Sequence, residues 1–336
     1  MTELLKELCL LDGTSGDETA VRDFIISKID GHCDYRTDNL GNIIAFKKGK
    51  KAAKRKIMVD AHMDEVGLII TNITKDGFLK FSTVGGIDTA ALMFRKVKIN
   101  GRINGVISGK PIHLIGDGER KKLPKTDSLY IDIGVATKDE AEKYVALGDR
   151  AVMCGDYTEN GDNIISKAID DRIGCAVLIK LLTTDCEYDF YGSFSVQEEI
   201  GLRGAKTAAF GIDPQSAVIL EGTTAADIAG VAEENKVCKL GNGVAVSFMD
   251  RATVYDRKYY DAALNSGINC QPKAAVAGGN NSGVVHLSRQ GVRTIALSVP
   301  CRYIHSASSV ANKRDCENML KLAEHMINGI ASGEIP

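Results

Sequence analysis

Lys56-Ile57-Met58-Val59-Asp60-Ala61-His62-Met63-Asp64-Glu65-Val66-Gly67 is the stretch on which the reading of this chain turns. Its first six residues form a short apolar-rich run, which then breaks into a histidine, two carboxylates and a glycine. Runs of this length, rich in Val, Ile and Phe and closed by Gly or Pro, read as buried strands. In an open α/β sheet, ligands bind beyond the carboxyl ends of the strands. His62 is therefore expected where chemistry takes place, with Asp64 two residues further on.

The same arrangement recurs along the chain. Phe190-Tyr191-Gly192-Ser193-Phe194-Ser195-Val196 runs into Gln197-Glu198-Glu199-Ile200-Gly201. Ser216-Ala217-Val218-Ile219-Leu220 delivers Glu221-Gly222-Thr223-Thr224, and Thr294 to Val299 is expected to end at Pro300, with His305 just after it. Asp170 opens Ala168-Ile169-Asp170-Asp171-Arg172-Ile173-Gly174, ahead of a helix-like stretch to about Leu182. A carboxylate at a helix start is stabilised by the dipole and by free backbone N–H groups, so it stays ionised.

Singly, these residues have ordinary readings. A lone His after a strand is more often a loop or core residue, Glu198-Glu199 reads as a solvated pair, and Asp170-Asp171-Arg172 reads as a helix start with a local ion pair. Jointly, His62, Asp170, Glu199, Glu221 and His305 are the ligand set of two divalent ions bridged by one carboxylate. Such a site activates a water and polarises a carbonyl together, and the reading is a hydrolase. His32, His113, His286 and His325 lack comparable contexts and read as structural.

Ala61-His62-Met63-Asp64-Glu65-Val66-Gly67, Lys167-Ala168-Ile169-Asp170-Asp171-Arg172, Val196 to Ala205 and Arg302-Tyr303-Ile304-His305-Ser306 resemble the motifs of the tetrahedral (TET-type) dinuclear metalloaminopeptidases. That family is also labelled glutamyl aminopeptidase or endoglucanase-M-like. The resemblance spans nearly the whole chain, from Gly13-Thr14-Ser15-Gly16 to the last helix. It implies that Asp170 bridges two ions, that His62 and Glu221 complete one, and that Glu199 and His305 complete the other. It further implies Glu198 as general base and Asp64 as the group holding His62 in its ligating tautomer. An inserted domain is implied to form dimers that assemble into a tetrahedral dodecamer. Two departures stand out: many members carry Asp where Glu221 stands, and Gly278-Gly279-Asn280-Asn281-Ser282-Gly283 replaces a more usual Gly-Thr-Asp-Ala-Gly run, so no carboxylate role passes to Asn281.

The roles also have a physical logic. A ligating imidazole normally donates its other N–H to a carboxylate, and Asp64 is close enough in sequence to accept it. Adjacent glutamates can divide labour, Glu199 giving its charge to a cation while Glu198 takes a proton from water and passes it to the leaving amine. N/O ligands of this kind accept Zn²⁺, the leading expectation, and also Co²⁺ or Mn²⁺.

Composition sets the outer bounds. The chain of 336 residues is 44% hydrophobic and 26% charged, as expected of a folded globular protein. Its net charge of −2 gives no reason to expect nucleic acid or an anionic membrane as partner. Nine scattered cysteines, never as Cys-x-x-Cys, argue against a disulfide framework or a thiolate zinc site and fit a reducing cytoplasm. Met1 to Leu8 reads as an amphipathic helix rather than a signal peptide, and no run approaches the length of a membrane span.

The expected fold is α/β: a mixed-sheet αβα catalytic domain of the zinc-peptidase kind over residues 1–67 and 164–336. A small β-barrel dimerisation domain is expected as an insertion over 68–163. Short β-type runs mark the insertion, with Val97 to Ile107 and Leu129 to Val135 as strands, Lys75-Asp76-Gly77 as a tight turn, and Asn100-Gly101 and Asn104-Gly105 as hairpin signals. Ser15-Gly16-Asp17-Glu18 reads as a capping box for a helix through Ile29, and a closing helix is expected from Lys313 to Ile330.

Peptides are the expected substrates. A metal-dependent deacylase sharing the same site is the alternative, and an endoglucanase a weaker one. Glycosidases need two carboxyls facing each other across a sugar, whereas Glu198 and Glu199 are adjacent, and a chain that is 6% aromatic without Trp offers few stacking platforms.

Overall fold

The computed structural model describes residues 1–116, 118 and 122–336. In chain order the strands are β1 (Asp34–Thr37), β2 (Ile43–Lys47), β3 (Ile57–His62), β4 (Gly67–Ile73), β5 (Leu79–Val84), β6 (Lys96–Ile99), β7 (Ile103–Ser108), β8 (Tyr130–Asp132) and β9 (Arg150–Met153). They continue with β10 (Thr158–Asn160), β11 (Asn163–Ser166), β12 (Phe190–Ser195), β13 (Ser216–Thr224), β14 (Val244–Val246), β15 (Cys270–Pro272), β16 (Arg293–Arg302) and β17 (Ser309–Asn312). Among the described residues, eleven strands form one mixed sheet and the other six close a barrel.

The main sheet runs β1-β2-β12-β3-β13-β16-β17-β11-β10, with β14 and β15 attached beside β16. Its centre, β12-β3-β13-β16, is parallel throughout. Four carboxyl ends therefore open at the same edge of the sheet. Parallel strands are covered on both faces, so they read as near-continuous apolar runs. β3 is buried at all six positions and β13 at eight of nine.

Because side chains alternate across a strand, the sheet sorts its apolar residues into two layers. Val59 and Ala61 of β3, Val218 and Leu220 of β13, and Ile295 and Leu297 of β16 share a cluster with the helices Thr2–Leu10, Thr19–Ile29, Ile169–Thr183 and Lys313–Ser332. Met58, Ala217, Ile219 and Ala296 face the other way, against the helix Arg203–Ile212. Each fully buried Val, Leu or Ile side chain contributes about 1.5–3 kcal/mol. The helix Ile169–Thr183 is buried at twelve of fifteen positions, as a helix enclosed on all sides must be. Lys313–Ser332 instead shows one apolar stripe; the Asn312 side chain accepts the Arg314 N–H at its start, and Gly333 takes φ +81° at its end.

The barrel order is β4-β5-β8-β7-β6-β9, and it encloses its own core of Leu68, Ile70, Leu79, Val97, Ile99, Ile107 and Ile131. Its strands lie between Gly67 and Met153, after which β10 and β11 return to the far edge of the main sheet. The mixed α/β sheet and the closed antiparallel barrel are the expected fold class.

Local expectations fared unevenly. Lys75 to Gly77 does turn the chain between β4 and β5, and Asn100-Gly101 turns it between β6 and β7, so Val97 to Ile107 is a hairpin and not one strand. Asn104-Gly105 is no turn: it lies inside β7, where a Cβ on Gly105 would meet Ile131 Cγ2 at 2.5 Å. The glycine serves close packing there. Leu129 to Val135 shortens to Tyr130–Asp132. β16 runs through Pro300 to Arg302. β14 pairs with β16 at Leu297 and Ser298, and β17 begins pairing at Cys301, so Pro300 sits where no ladder on that side needs an N–H. The capping box does not form, because Ser15 Oγ donates to Asp64 Oδ2 at 2.6 Å while Glu18 Oε1 accepts the Gly16 and Gln197 N–H groups.

Candidate metal centre

Four strand ends and one helix start converge on the open edge of the sheet. His62 ends β3 and pairs in register with Ser195, the last residue of β12, so Glu198 and Glu199 follow immediately beside it. Ile219 pairs with Asp60, which puts Glu221, two residues further along β13, level with His62. β13 continues past Glu221 to Thr224, so this carboxylate leaves the sheet from within a strand rather than after one. His305 follows β16, and Asp170 enters from the helix side.

Asp170 is at the middle of the cluster. Its Oδ1 lies 3.6 Å from His62 Nε2, and its Oδ2 lies 3.7 Å from His305 Nε2. His62 Nε2 is also 3.7 Å from Glu221 Oε2, and His305 Nε2 is 3.2 Å from Glu199 Oε2. Asp170, Glu199 and His305 thus form one trio close enough to hold an ion, while on the other side His62 lies near Asp170 and Glu221, and also near Glu198 and Glu199. Asp170 has φ −79° and ψ 110°, outside the helical region, so the regular helix begins only after it.

The other ring nitrogens are oriented for this. His62 Nδ1 donates to the main-chain O of Asp64 at 3.1 Å, with Asp64 Oδ1 at 3.4 Å. His305 Nδ1 donates to the Gly86 main-chain O at 2.8 Å. Both Nε2 atoms are left facing carboxylates. The Asp64 carboxylate is buried and accepts N–H from Glu198 at 2.9 Å and from Glu199 at 3.1 Å, as well as the Ser15 hydroxyl. The Glu198 carboxylate lines the cleft and accepts no hydrogen bond among the described residues.

Electrostatics of the protein atoms alone are in conflict here. Burial pushes the Glu198, Glu199 and Glu221 carboxyls up, and the neighbouring carboxylates push Glu198 and Glu221 further. Burial also opposes charge on His62 and His305, but Asp170 and, respectively, Asp64 and Glu199 outweigh it and hold both imidazoles above their usual range. Oε1 of Glu221 is buried with no hydrogen-bond partner among the described residues. Two imidazole nitrogens and three carboxylates crowded in this way form a donor set that cations satisfy, and the residues fit metal ions. Asp171 also comes close to His62 and Glu221, yet both its oxygens are engaged, by the His62 N–H at 3.2 Å and the Gly174 N–H at 3.0 Å.

The profile of the M42 glutamyl aminopeptidases matches residues 41–322. The chain belongs to the M42 glutamyl aminopeptidase family. It is a metalloaminopeptidase, a hydrolase acting on peptide bonds, and the endoglucanase alternative falls away. A lysyl aminopeptidase of Pyrococcus furiosus is 31% identical over 97% of this chain and 96% of its own. An aminopeptidase from the archaeon Desulfurococcus kamchatkensis superposes with a TM-score of 0.93 at 35% identity, over 99% of this chain and 96% of that one. A Pyrococcus horikoshii TET1 peptidase, which can assemble into a tetrahedron or a large octahedral shell, superposes at 0.84 with 33% identity, over 96% and 98% of the two chains.

Sequence reasoning missed several supporting residues of this M42 chain. Arg172 does not pair with Asp170 or Asp171. It is fully buried, donates to the Leu8 main-chain O at 2.7 Å and lies 3.4 Å from Glu65 Oε1, which also takes the Lys167 ammonium at 2.6 Å. This buried group ties the first helix to the loop carrying Asp64. Beneath the metal centre, Asn281 Nδ2 donates to Asp60 Oδ2 at 2.7 Å and Ser195 Oγ at 2.9 Å, so its amide braces two strand ends. The signal for Asn281 lay in the departing Gly278–Gly283 run itself. Nothing local signalled Ser15 or Glu65.

Beside the candidate ligands opens a cleft of about 430 Å³, lined by Asp170, Glu198, Glu199 and Glu221 and by Leu202, Arg251, Lys273, Asn280 and Ile304. No helix among the described residues is long and apolar enough to cross a membrane.

Proposed function

We propose that this peptidase removes N-terminal residues from peptides with two divalent ions per chain, Zn²⁺ first and Co²⁺ or Mn²⁺ as alternatives. Asp170 would be shared, His62 and Glu221 would hold one ion, and Glu199 and His305 the other. The observation that carries this reading is the opposed placement of the two Asp170 oxygens, one toward each histidine. Such ions supply Lewis acidity and bring the pKa of water toward neutrality.

The protein's own groups do the rest. Glu198, with its carboxylate unpaired in the cleft, takes a proton from the attacking water and returns it to the leaving amine. Asp64 fixes that glutamate by its backbone and steadies the His62 ring. Thr223, Thr224 and Asn280 line the cleft where a substrate backbone lies.

The domain division follows the same reading. Residues 1–67 and 164–336 form the catalytic unit, and 68–163 form the barrel that mediates dimers. Those dimers build a tetrahedral dodecamer of the kind named for the P. horikoshii relative, working in the cytoplasm. Metal analysis together with hydrolysis of aminoacyl-anilides tests the core of the proposal. Two ions per chain with anilide cleavage is expected; a firm value of one ion overturns the shared-Asp170 assignment.

A further inference from the structure

Four consecutive backbone N–H groups, from Val196 to Glu199, are each received by a side-chain oxygen from a distant part of the chain. Asn42 Oδ1 accepts that of Val196 at 2.9 Å, and Glu18 Oε1 that of Gln197 at 3.1 Å. The two Asp64 oxygens accept those of Glu198 and Glu199 at 2.9 and 3.1 Å. Segments that leave a strand ordinarily give their N–H groups to water or to local turns. This one is cradled along its whole length.

Glu18 is the member of the cradle whose role is unaccounted for. The Asn42 amide also donates to Asp38, to the Gly204 main-chain O and to Thr207, which ties β12 to the helix Arg203–Ile212. Asp64 also steadies His62. Glu18 stands at the N-cap of the helix Thr19–Ile29, yet its side chain makes no cap bond there. Its Oε1 instead takes the Gly16 N–H at 2.7 Å and reaches 179 residues along the chain to Gln197. The residue is 7% exposed, and its carboxyl forms no ion pair among the described residues. Burying a carboxyl without a counter-ion is costly, and a helix start that needed only solubility would leave it in water.

The group that Glu18 holds is itself strained. Gln197 has φ +57°, in the left-handed region that residues other than glycine enter at a cost. Such residues persist where the surrounding structure over-determines them. Gln197 ends the side-to-side alternation of β12 immediately before Glu198, so its conformation sets the direction in which the Glu198 carboxyl leaves the backbone.

We propose that Glu18 is a positioning residue for the reaction: by accepting the Gln197 N–H it holds the left-handed turn that aims the Glu198 carboxyl. The inference rests on the reading of Glu198 as general base and adds the group that sets its aim.

The test is a double-mutant cycle between Glu18→Ala and Glu198→Gln, assayed on an aminoacyl-anilide at saturating Zn²⁺, with metal content measured alongside. Misplacing a reacting group by about 1 Å costs about 100-fold, so Glu18→Ala should lose about that factor in kcat while KM and metal content stay near those of the unaltered enzyme. In the Glu198→Gln background the same substitution should cost about threefold or less, because no base remains to be aimed. Glu18→Gln, whose amide oxygen can accept the same N–H groups, should retain most of the kcat. Equal losses in the two backgrounds overturn the proposal, and so does recovery of kcat by excess metal, which would place the effect on a ligand. Should Glu18→Ala not fold, Glu18→Met fills the same space without an acceptor and enters the same cycle. Full kcat in Glu198→Gln alone would defeat the base assignment instead. Hydrogen exchange then judges Glu18: its loss should speed exchange of the N–H groups of residues 196–199 and leave other segments unchanged, and unaltered exchange there overturns the proposal.

Discussion

The backbone N–H of Glu198 donates to Oδ1 of Asp64 at 2.9 Å, and that same oxygen lies 3.4 Å from the ring of His62. One buried carboxylate therefore sets the position of the proposed base and the orientation of a proposed ligand. Two functions that sequence separates by more than a hundred residues are locked to a common support.

Asp64→Asn should damage both functions. Loss of an outer partner to a ligating histidine typically costs about 10–100-fold in metal affinity. The amide also presents an N–H group to backbone donors that now meet an oxygen, so kcat should remain low at saturating metal. Titrating Zn²⁺ into the metal-free variant and assaying at saturation separates the two losses; full recovery of kcat would leave Asp64 with the histidine alone.

Glu198 and Glu199 should fail differently when neutralised. Glu198→Gln keeps its shape and its backbone bonds to Asp64, so both ions should remain while kcat drops by about 10²–10⁴-fold. Glu199→Gln should lose one ion, with partial rescue by excess metal. Metal content and kcat of the two variants check the assignment, and metal loss from Glu198→Gln would reverse it.

Metal removal should lower stability as well as activity. The proposed ligands come from β3, β13, the loops after β12 and β16, and the helix Ile169–Thr183, so bound ions would favour the folded state by mass action, about 1.4 kcal/mol for each tenfold excess over Kd. Chelation should therefore lower the melting temperature in calorimetry, and added Zn²⁺ should restore it. An unchanged transition in the stripped protein would count against tight binding at this site.

A second titration lies far from the cleft. Asp315, buried at the start of the last helix, accepts the Gly241 and Gly243 N–H groups at 2.7 and 2.8 Å, and burial pushes its carboxyl up from 3.8 to about 6. A raised carboxyl pKa favours the protonated folded state, so its stabilising contribution is complete below about pH 4 and lost as pH rises through about 6. Thermal melts between pH 4 and 7 should show this slope, and it should flatten in Asp315→Asn, though that variant starts from lower stability because its amide opposes one backbone donor.

Much of the site was legible because parallel strands carry their own label. Buried on both faces, β3, β12, β13 and β16 appear as apolar runs, and polar residues that interrupt such runs at the open edge are conspicuous. His62, Glu198, Glu199 and Glu221 stand out that way as candidates, and Asp170 and His305 by proximity to similar patterns. What stayed hidden depends on contacts between distant segments. Ser15 was expected to cap a helix and is drawn instead to Asp64; Arg172, for which a local ion pair was the ordinary reading, reaches Glu65. Lys273 could not be distinguished from a surface lysine, since only its burial marks it. Glycine misled in one place: Gly105 has the look of a turn and is in fact where β7 presses closest to β8.

The order in which the ligands occur along the chain has a cellular corollary. His62 is made early and His305 almost last, and β16, the strand that leads into the loop carrying His305, fits between β13 and β17. A polypeptide still leaving the ribosome thus holds only part of the proposed ligand set. On the proposed assignment, the capacity to cut peptides therefore waits for the last part of the chain to be made and folded.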